Sequence, residues 1–162
     1  MIRITKQTDY GLVLLTAMAR QGDDEPQTAR DLAERCSLPV PMVSQILKCL
    51  SRERLLESTR GAKGGYRLVR EPQKISVAEV IAALEGPIAI TECSVDGLGD
   101  CEQEAGCPLQ GPWQKINRVI RGALESVHLT DLIGPGALPH GDDALVPAPR
   151  PSESKRTGTE LL

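Results

Sequence analysis

Cys93, Cys101 and Cys107 stand within 15 residues of one another in the pattern C-x7-C-x5-C, among glycines and acidic residues. Thiolates are the preferred ligands of zinc and of iron-sulfur clusters, and an irregular, glycine-containing stretch can wrap around an inorganic core. The pattern therefore predicts a metal centre. Three thiolates are one fewer than the four protein ligands of a closed zinc site or a usual cluster, so a further donor must come from elsewhere. A labile fourth ligand suits a sensor, because a weakly held cluster can be lost, oxidised or attacked. A disulfide plus a spare thiol is the competing use, but nothing in the chain points to an oxidising compartment.

The elements that must position these cysteines come from a chain of 162 residues, enough for one domain with an appended element. Hydrophobic residues make up 40% and aromatics 2%, with no Phe, so the core is built from Leu, Ile, Val and Ala and favours helices. The apolar run from Gly11 to Ala19 is too short to span a membrane. With Asp9 ahead of it, it reads as an amphipathic first helix and not as a signal peptide. A cytoplasmic protein without a membrane partner is expected. With two histidines and no nucleophile beside a base, no catalytic residue and no enzymatic activity are expected.

Net charge is −3, unevenly spread. Residues 1–70 carry 12 Lys and Arg against 8 Asp and Glu, whereas residues 71–162 carry 7 against 14. The first part can face phosphate.

That part has the pattern of a helix-turn-helix followed by a wing. A first helix over Thr8 to Arg20 presents Leu12, Leu15 and Ala19 and ends at Gly22-Asp-Asp-Glu-Pro26. Thr28, with Asp31 at the capping-box position, opens a second that buries Leu32, Ala33 and Cys36. A third, from Pro41, places Val43, Ile46, Leu47 and Leu50 on one face, and Met42, Ser44, Gln45, Lys48 and Arg52 on the other. Ser37-Leu38-Pro39-Val40 joins the two and leaves the polar face free for a major groove. Gln45, whose amide can pair bidentately with adenine, is the expected base reader, with Ser44 and Lys48 beside it.

Leu55 to Arg60 and Tyr66 to Arg70 form two strand-like runs around Gly61-Ala-Lys-Gly-Gly65, a two-stranded wing with a basic tip. Arg60, Lys63 and Arg67 suit phosphates or the minor groove. A nucleotide-binding loop does not fit these glycines, since no Gly-Lys-Ser/Thr follows.

Ser76 and Glu79 form a capping box that opens a helix burying Val77, Val80, Ile81 and Leu84, stopped by Gly86-Pro87. The boundaries expected are a winged helix-turn-helix over 1–87, the cysteine-bearing loop over 88–110, a dimerisation helix over 111–133 and a disordered tail over 134–162. In that long helix Trp113, Ile116, Ile120, Ala123 and Val127 recur at steps of three and four. Such a seam wants a partner helix, either its copy in a second subunit or the chain's own core. Cys36 and Cys49 fit as small buried hydrophobes rather than a redox pair, and His140 as a solvated tail residue.

Together these motifs resemble a known family, the iron-sulfur winged-helix transcription regulators of the IscR and NsrR type. The resemblance covers roughly residues 1–133. It is carried by Ile4-Thr5-Lys6-Gln7-Thr8-Asp9-Tyr10, by Arg60-Gly61-Ala62-Lys63-Gly64-Gly65-Tyr66, by Ile75-Ser76-Val77-Ala78-Glu79-Val80-Ile81, and by the three cysteines followed by Trp113. Leu84-Glu85-Gly86-Pro87 and Thr91-Glu92-Cys93 look most like the branch that regulates the SUF cluster-assembly system.

The resemblance implies a mainly α homodimer that binds double-stranded promoter DNA as a repressor of cluster-assembly genes, with operator affinity set by the cluster. It implies Cys93, Cys101 and Cys107 as ligands of a [2Fe-2S] or [4Fe-4S] cluster. Many members have five residues between the first two cysteines where this chain has seven. Where IscR-like members have a histidine three positions after the last cysteine, this chain has Gln110, a poor iron ligand. NsrR-like members use an acid of the first helix from the other subunit, which Asp9 matches. Glu92, Asp96, Asp100, Glu102 and His128 are the fallback donors. The alternatives are a zinc-stabilised or a thiol-redox winged-helix regulator.

Overall fold

Thr5 opens the first helix, α1 (Lys6–Gln21): its backbone is extended and its hydroxyl accepts the Thr8 N–H at 3.3 Å, satisfying a donor that a helix start leaves without a partner. The computed structural model describes residues 4–22, 25–61, 63–91 and 107–133. Helix α1 starts ahead of the expected Thr8 and buries Thr8, Gly11, Leu14, Leu15 and Met18, while Val13 turns to solvent. The buried face is rotated from the one expected around Leu12, Leu15 and Ala19. Leu12 to Leu15 is an unbroken apolar run that selects no face by itself, so packing against other helices decides.

Thr28 caps α2 (Ala29–Cys36): its hydroxyl accepts the Asp31 N–H at 3.2 Å and donates to the Asp31 carboxylate at 2.7 Å. Ser37, in the left-handed region at φ 54°, ends the helix, and the Leu38 N–H returns to the Ala33 carbonyl at 2.9 Å. Pro39 then caps α3 (Val40–Arg52). The predicted inner face is met, with Val43, Ile46, Leu47 and Leu50 each at most 1% exposed. Cys36 is half-buried, not enclosed.

The wing is a two-stranded antiparallel hairpin of β1 (Leu56–Thr59) and β2 (Gly65–Leu68), with Leu56 opposite Leu68 and Thr59 opposite Gly65. Its inner edge carries a rung the sequence did not announce. Gln27 donates its N–H to the Tyr66 carbonyl at 2.9 Å and accepts the Tyr66 N–H at 2.8 Å. A Cβ on Gly65 would stand 2.7 Å from the Gln27 carbonyl oxygen, so only glycine lets the two backbones approach. The buried Gln27 side chain donates to the Met18 carbonyl at 3.4 Å and accepts from Arg35 at 2.8 Å, fixing the wing to both α1 and α2.

A 3-10 turn (Pro72–Lys74) leads to α4 (Val77–Glu85), whose capping box is complete: Ser76 Oγ accepts the Glu79 N–H at 3.2 Å and Glu79 accepts the Ser76 N–H at 2.9 Å. Arg70, at the foot of the wing, donates to Glu79 at 2.7 Å. Gly86, at φ 91°, ends α4 as predicted.

The segment expected as one helix over 111–133 is two, α5 (Gln110–Glu125) and α6 (Leu129–Ile133). Between them the chain pairs in an extended conformation, the Val77 N–H bonding the Val127 carbonyl at 2.8 Å and the Leu129 N–H bonding the Ile75 carbonyl at 3.0 Å. This lets Leu129 enter the core fully buried, beside Leu14, Leu15, Leu32, Leu47 and Ile75. Helix α5 stays outside on α4: Asn117 is its one buried residue, and Ile116 and Val119 are 43% and 66% exposed. Among the described residues no helix is long and apolar enough to cross a membrane.

Candidate nucleic-acid interface and cysteine site

The outward stripe of α3 carries Ser44, half-buried, and Gln45 and Lys48, both exposed. With Arg52 they line an open groove of about 640 Å³, closed on one side by Gln7 of α1 and at its floor by Cys49 and Leu84. Arg52 bonds Glu53 at 3.4 Å with three-quarters of its side chain in solvent, an exposed pair worth about 0–1 kcal/mol and readily exchanged for another anion.

At the wing tip the Gly64 N–H bonds the Gly61 carbonyl at 2.9 Å, and Gly61 lies at φ 113°. Arg60 and Lys63 flank this turn, both exposed and outside every ion pair among the described residues. Arg67 differs. It holds Glu57 of the facing strand with two hydrogen bonds, at 3.0 and 2.8 Å, and thereby braces the hairpin. The residues proposed to read DNA thus share one face of α3 and the free end of the wing.

Of the cysteine set, Cys93 and Cys101 lie outside the described residues, as do the fallback donors Glu92, Asp96, Asp100 and Glu102. Cys107 is a free, half-buried thiol whose carbonyl accepts the Gln110 N–H at 3.3 Å, just ahead of α5. Among the described residues no cluster of three metal-ligating side chains forms. Asp9 is exposed on the first turn of α1.

That turn is fixed to the end of α4 from which the cysteine loop departs. The Thr5 N–H donates to Glu85 at 3.0 Å, and the Thr5 hydroxyl donates to that of the fully buried Thr8 at 3.4 Å. Partial burial works against the charged form of Glu85, but the polar groups of Thr8 and Thr5 beside it outweigh that and hold the carboxyl below the usual glutamate range. Asn117 donates to the Ile88 carbonyl at 3.1 Å, so α5 runs antiparallel along α4 and carries Cys107 past the same end. His128 pairs with Ser76 at the opposite end of α4, and α5, 16 residues or about 24 Å long, separates it from Cys107.

Cys36 and Cys49 are both free thiols and line different grooves. Burial pushes the Cys36 thiol up, with Arg35 only partly opposing, so it stays protonated at neutral pH. Cys49 is likewise half-buried, not enclosed: its sulfur donates to the Ala83 carbonyl at 3.4 Å and accepts from Arg52 at 3.5 Å.

Two positions that hold the fold together escaped sequence reasoning: Gln27 and Glu85. The first looks like a loop residue after Pro26. The second sits in a motif whose long-range partner no local pattern reveals.

A helix-turn-helix with its polar stripe free, edged by a basic-tipped hairpin locked to α1 and α2, defines the winged-helix DNA-binding transcription regulators. Within that class this chain belongs to the Rrf2 family, whose model, described as an iron-dependent transcriptional regulator, matches residues 4–135. An HTH-type transcriptional regulator of Mycobacterium tuberculosis is 31% identical over 164 residues, spanning 97% of this chain and 96% of the relative. IscR of Photobacterium profundum is 29% identical over 132 residues, spanning 82% and 76%. Among solved structures, CymR, the global cysteine regulator of B. subtilis, superposes with a TM-score of 0.64 at 30% identity, covering 82% of this chain and 97% of that one. IscR of T. potens gives 0.61 at 27% identity, covering 82% and 86%. These relatives are regulators, and this chain is one rather than an enzyme.

Proposed function

We propose that this chain is a homodimeric, iron-sulfur-dependent regulator that represses cluster-assembly genes by binding promoter DNA through α3 and the wing. Cys93, Cys101 and Cys107 hold the cluster, and Asp9 of the partner subunit completes its ligand set. The donor chemistry fits: three thiols in an acidic, glycine-containing loop match an iron-sulfur core, and a carboxylate is a weaker, more labile fourth donor. When bound, the cluster supplies an oxygen- and redox-labile group whose loss frees the loop and the carboxylate together.

The observation that carries this reading is the junction of Glu85 with Thr5 and Thr8. It makes the first turn of α1 and the root of the cysteine loop one unit, so any force on the loop is felt in the DNA-binding half. The seven helical steps from Gln110 to Asn117 carry the start of α5 about 10 Å beyond its contact with Ile88, which suits a carboxylate supplied by the second subunit. The exposed Ile116 and Val119 of α5 give the two copies an apolar surface on which to meet.

Anaerobic purification with a visible spectrum and counts of iron and acid-labile sulfide, titrated against operator binding, tests this. Coloured protein whose iron tracks DNA affinity, and whose spectrum or cluster lifetime changes in Asp9→Ala, is the expected result. A thiol-redox regulator is the second reading, favoured by the likeness to Staphylococcus aureus CymR in its oxidised form. It predicts colourless protein with reversible disulfides and no metal. Colourless protein with stoichiometric zinc points to a structural clamp.

A further inference from the structure

The groove beside α3 is lined by Lys48 and Arg52 from one side and by Gln7 from the other. Gln7 belongs to the same helical turn as Thr5, the residue bonded to Glu85. Its side-chain amide is half-buried at the rim of the groove and has no hydrogen-bond partner among the described residues. A major-groove reader is flanked by the sugar-phosphate backbone, and a groove carrying two cations and a free amide next to the reading stripe has the chemistry to seat it.

We propose that this groove is a phosphate seat in which Gln7, Lys48 and Arg52 grip the strand bordering the α3 stripe, and that Glu85 is a positioning residue that sets Gln7 there. This rests on the DNA-binding reading above and deepens it. Glu85 does not touch the duplex. It acts by fixing where α1 begins, since its carboxylate receives the N–H of Thr5, the residue that caps the helix, at 3.0 Å. Gly11, one turn further on, packs against the Leu84 side chain, so α1 and α4 are in contact beside the same junction. Leu84, next to Glu85 in sequence, thus lies between the two helices, while Glu85 bonds the start of α1.

The probe is a duplex selected by the full wild-type chain from a random-sequence pool. Gln7→Ala is expected to weaken binding about fivefold, the effect of one lost hydrogen bond, with the salt dependence unchanged because the amide is neutral. Arg52→Ala is expected to lower the slope of log affinity against log salt by about 0.9, with sequence preference retained, because a phosphate contact reads no base. Glu85→Ala should match Gln7→Ala, and the double variant should be no weaker than either alone, while Glu85→Gln, which keeps an acceptor for Thr5, recovers most of the binding. Thermal melts of each variant separate loss of fold from loss of grip. Losses of Gln7→Ala and Glu85→Ala that multiply, an unaffected Gln7→Ala, or altered base preference in Arg52→Ala each overturn the proposal. A wild-type chain that selects no duplex at all overturns the DNA-binding reading itself, a result distinguishable from these.

Discussion

Glu85 accepts the Thr5 N–H at 3.0 Å across 80 residues of sequence, closing the fold between the start of α1 and the end of α4. The opposite end of α4 is held by another carboxylate, Glu79, which accepts from Arg70 at the foot of the wing.

Both carboxylates give the fold a pH dependence of known sign. In Glu79, as in Glu85, burial opposes ionisation but is outweighed, here by hydrogen bonds from Ser76 and Arg70 and by the Arg70 charge, so both folded-state pKa values lie below the unfolded value. Their stabilisation is complete above the unfolded pKa of about 4.3 and is lost as pH falls through the lower folded values. Urea unfolding at steps from pH 7 to pH 3 should show stability declining on the acid side, with a shallower decline in Glu85→Gln.

Gly11→Ala should change stability by no more than about 1 kcal/mol, because the new methyl group meets only the terminal carbon of the half-buried Leu84 side chain, which can turn aside, while Ala is the better helix former. Pairing it with Leu84→Ala should remove that contact and leave the helix-propensity gain. Denaturant titration of the single and double variants measures the coupling.

Gly65→Ala should detach the wing while sparing the helical core, since its Cβ meets backbone atoms of Gln27 at 2.7–3.0 Å. Faster hydrogen exchange of the Tyr66 amide, together with weakened DNA binding and a nearly unchanged far-ultraviolet spectrum, is the expected signature.

Leu129→Ala should cost about 2–5 kcal/mol, the usual range for a fully enclosed leucine. A value near zero, read from the midpoint of chemical unfolding, would mean that α6 is an accessory and not part of the core.

Arg60→Ala should weaken operator binding and lower the salt slope by about one phosphate equivalent if the side chain only neutralises charge, or relax sequence preference if it reads groove width. Binding that keeps both its strength and its preference would remove the wing tip from the interface.

Much of this was legible because it depends on neighbours in sequence. The caps at Thr28 and Ser76, the inner face of α3 and the glycine-rich hairpin tip are local devices, fixed by side chains that reach the backbone within one turn. The rotated face of α1 was not legible, since its four consecutive apolar residues permit more than one buried side and only packing against α2, α4 and α6 selects among them. The break between α5 and α6 was hidden for a related reason: residues 126–128 continue a helical pattern, but backbone pairing with residues 75–77 competes successfully and delivers Leu129 to the core.

By itself, then, the order of residues determined the helix-turn-helix, the wing, the polar stripe of α3 and the three-thiol motif, since each rests on spacings of a few residues. Tertiary structure alone decided that Gln27 anchors the wing, that Arg67 braces it while Arg60 and Lys63 stay free, and that Glu85 joins α1 to the root of the cysteine loop. Those relationships depend on hydrogen bonds between segments distant in sequence. Such bonds exist only once burial of the common core has brought the segments within about 3 Å of one another.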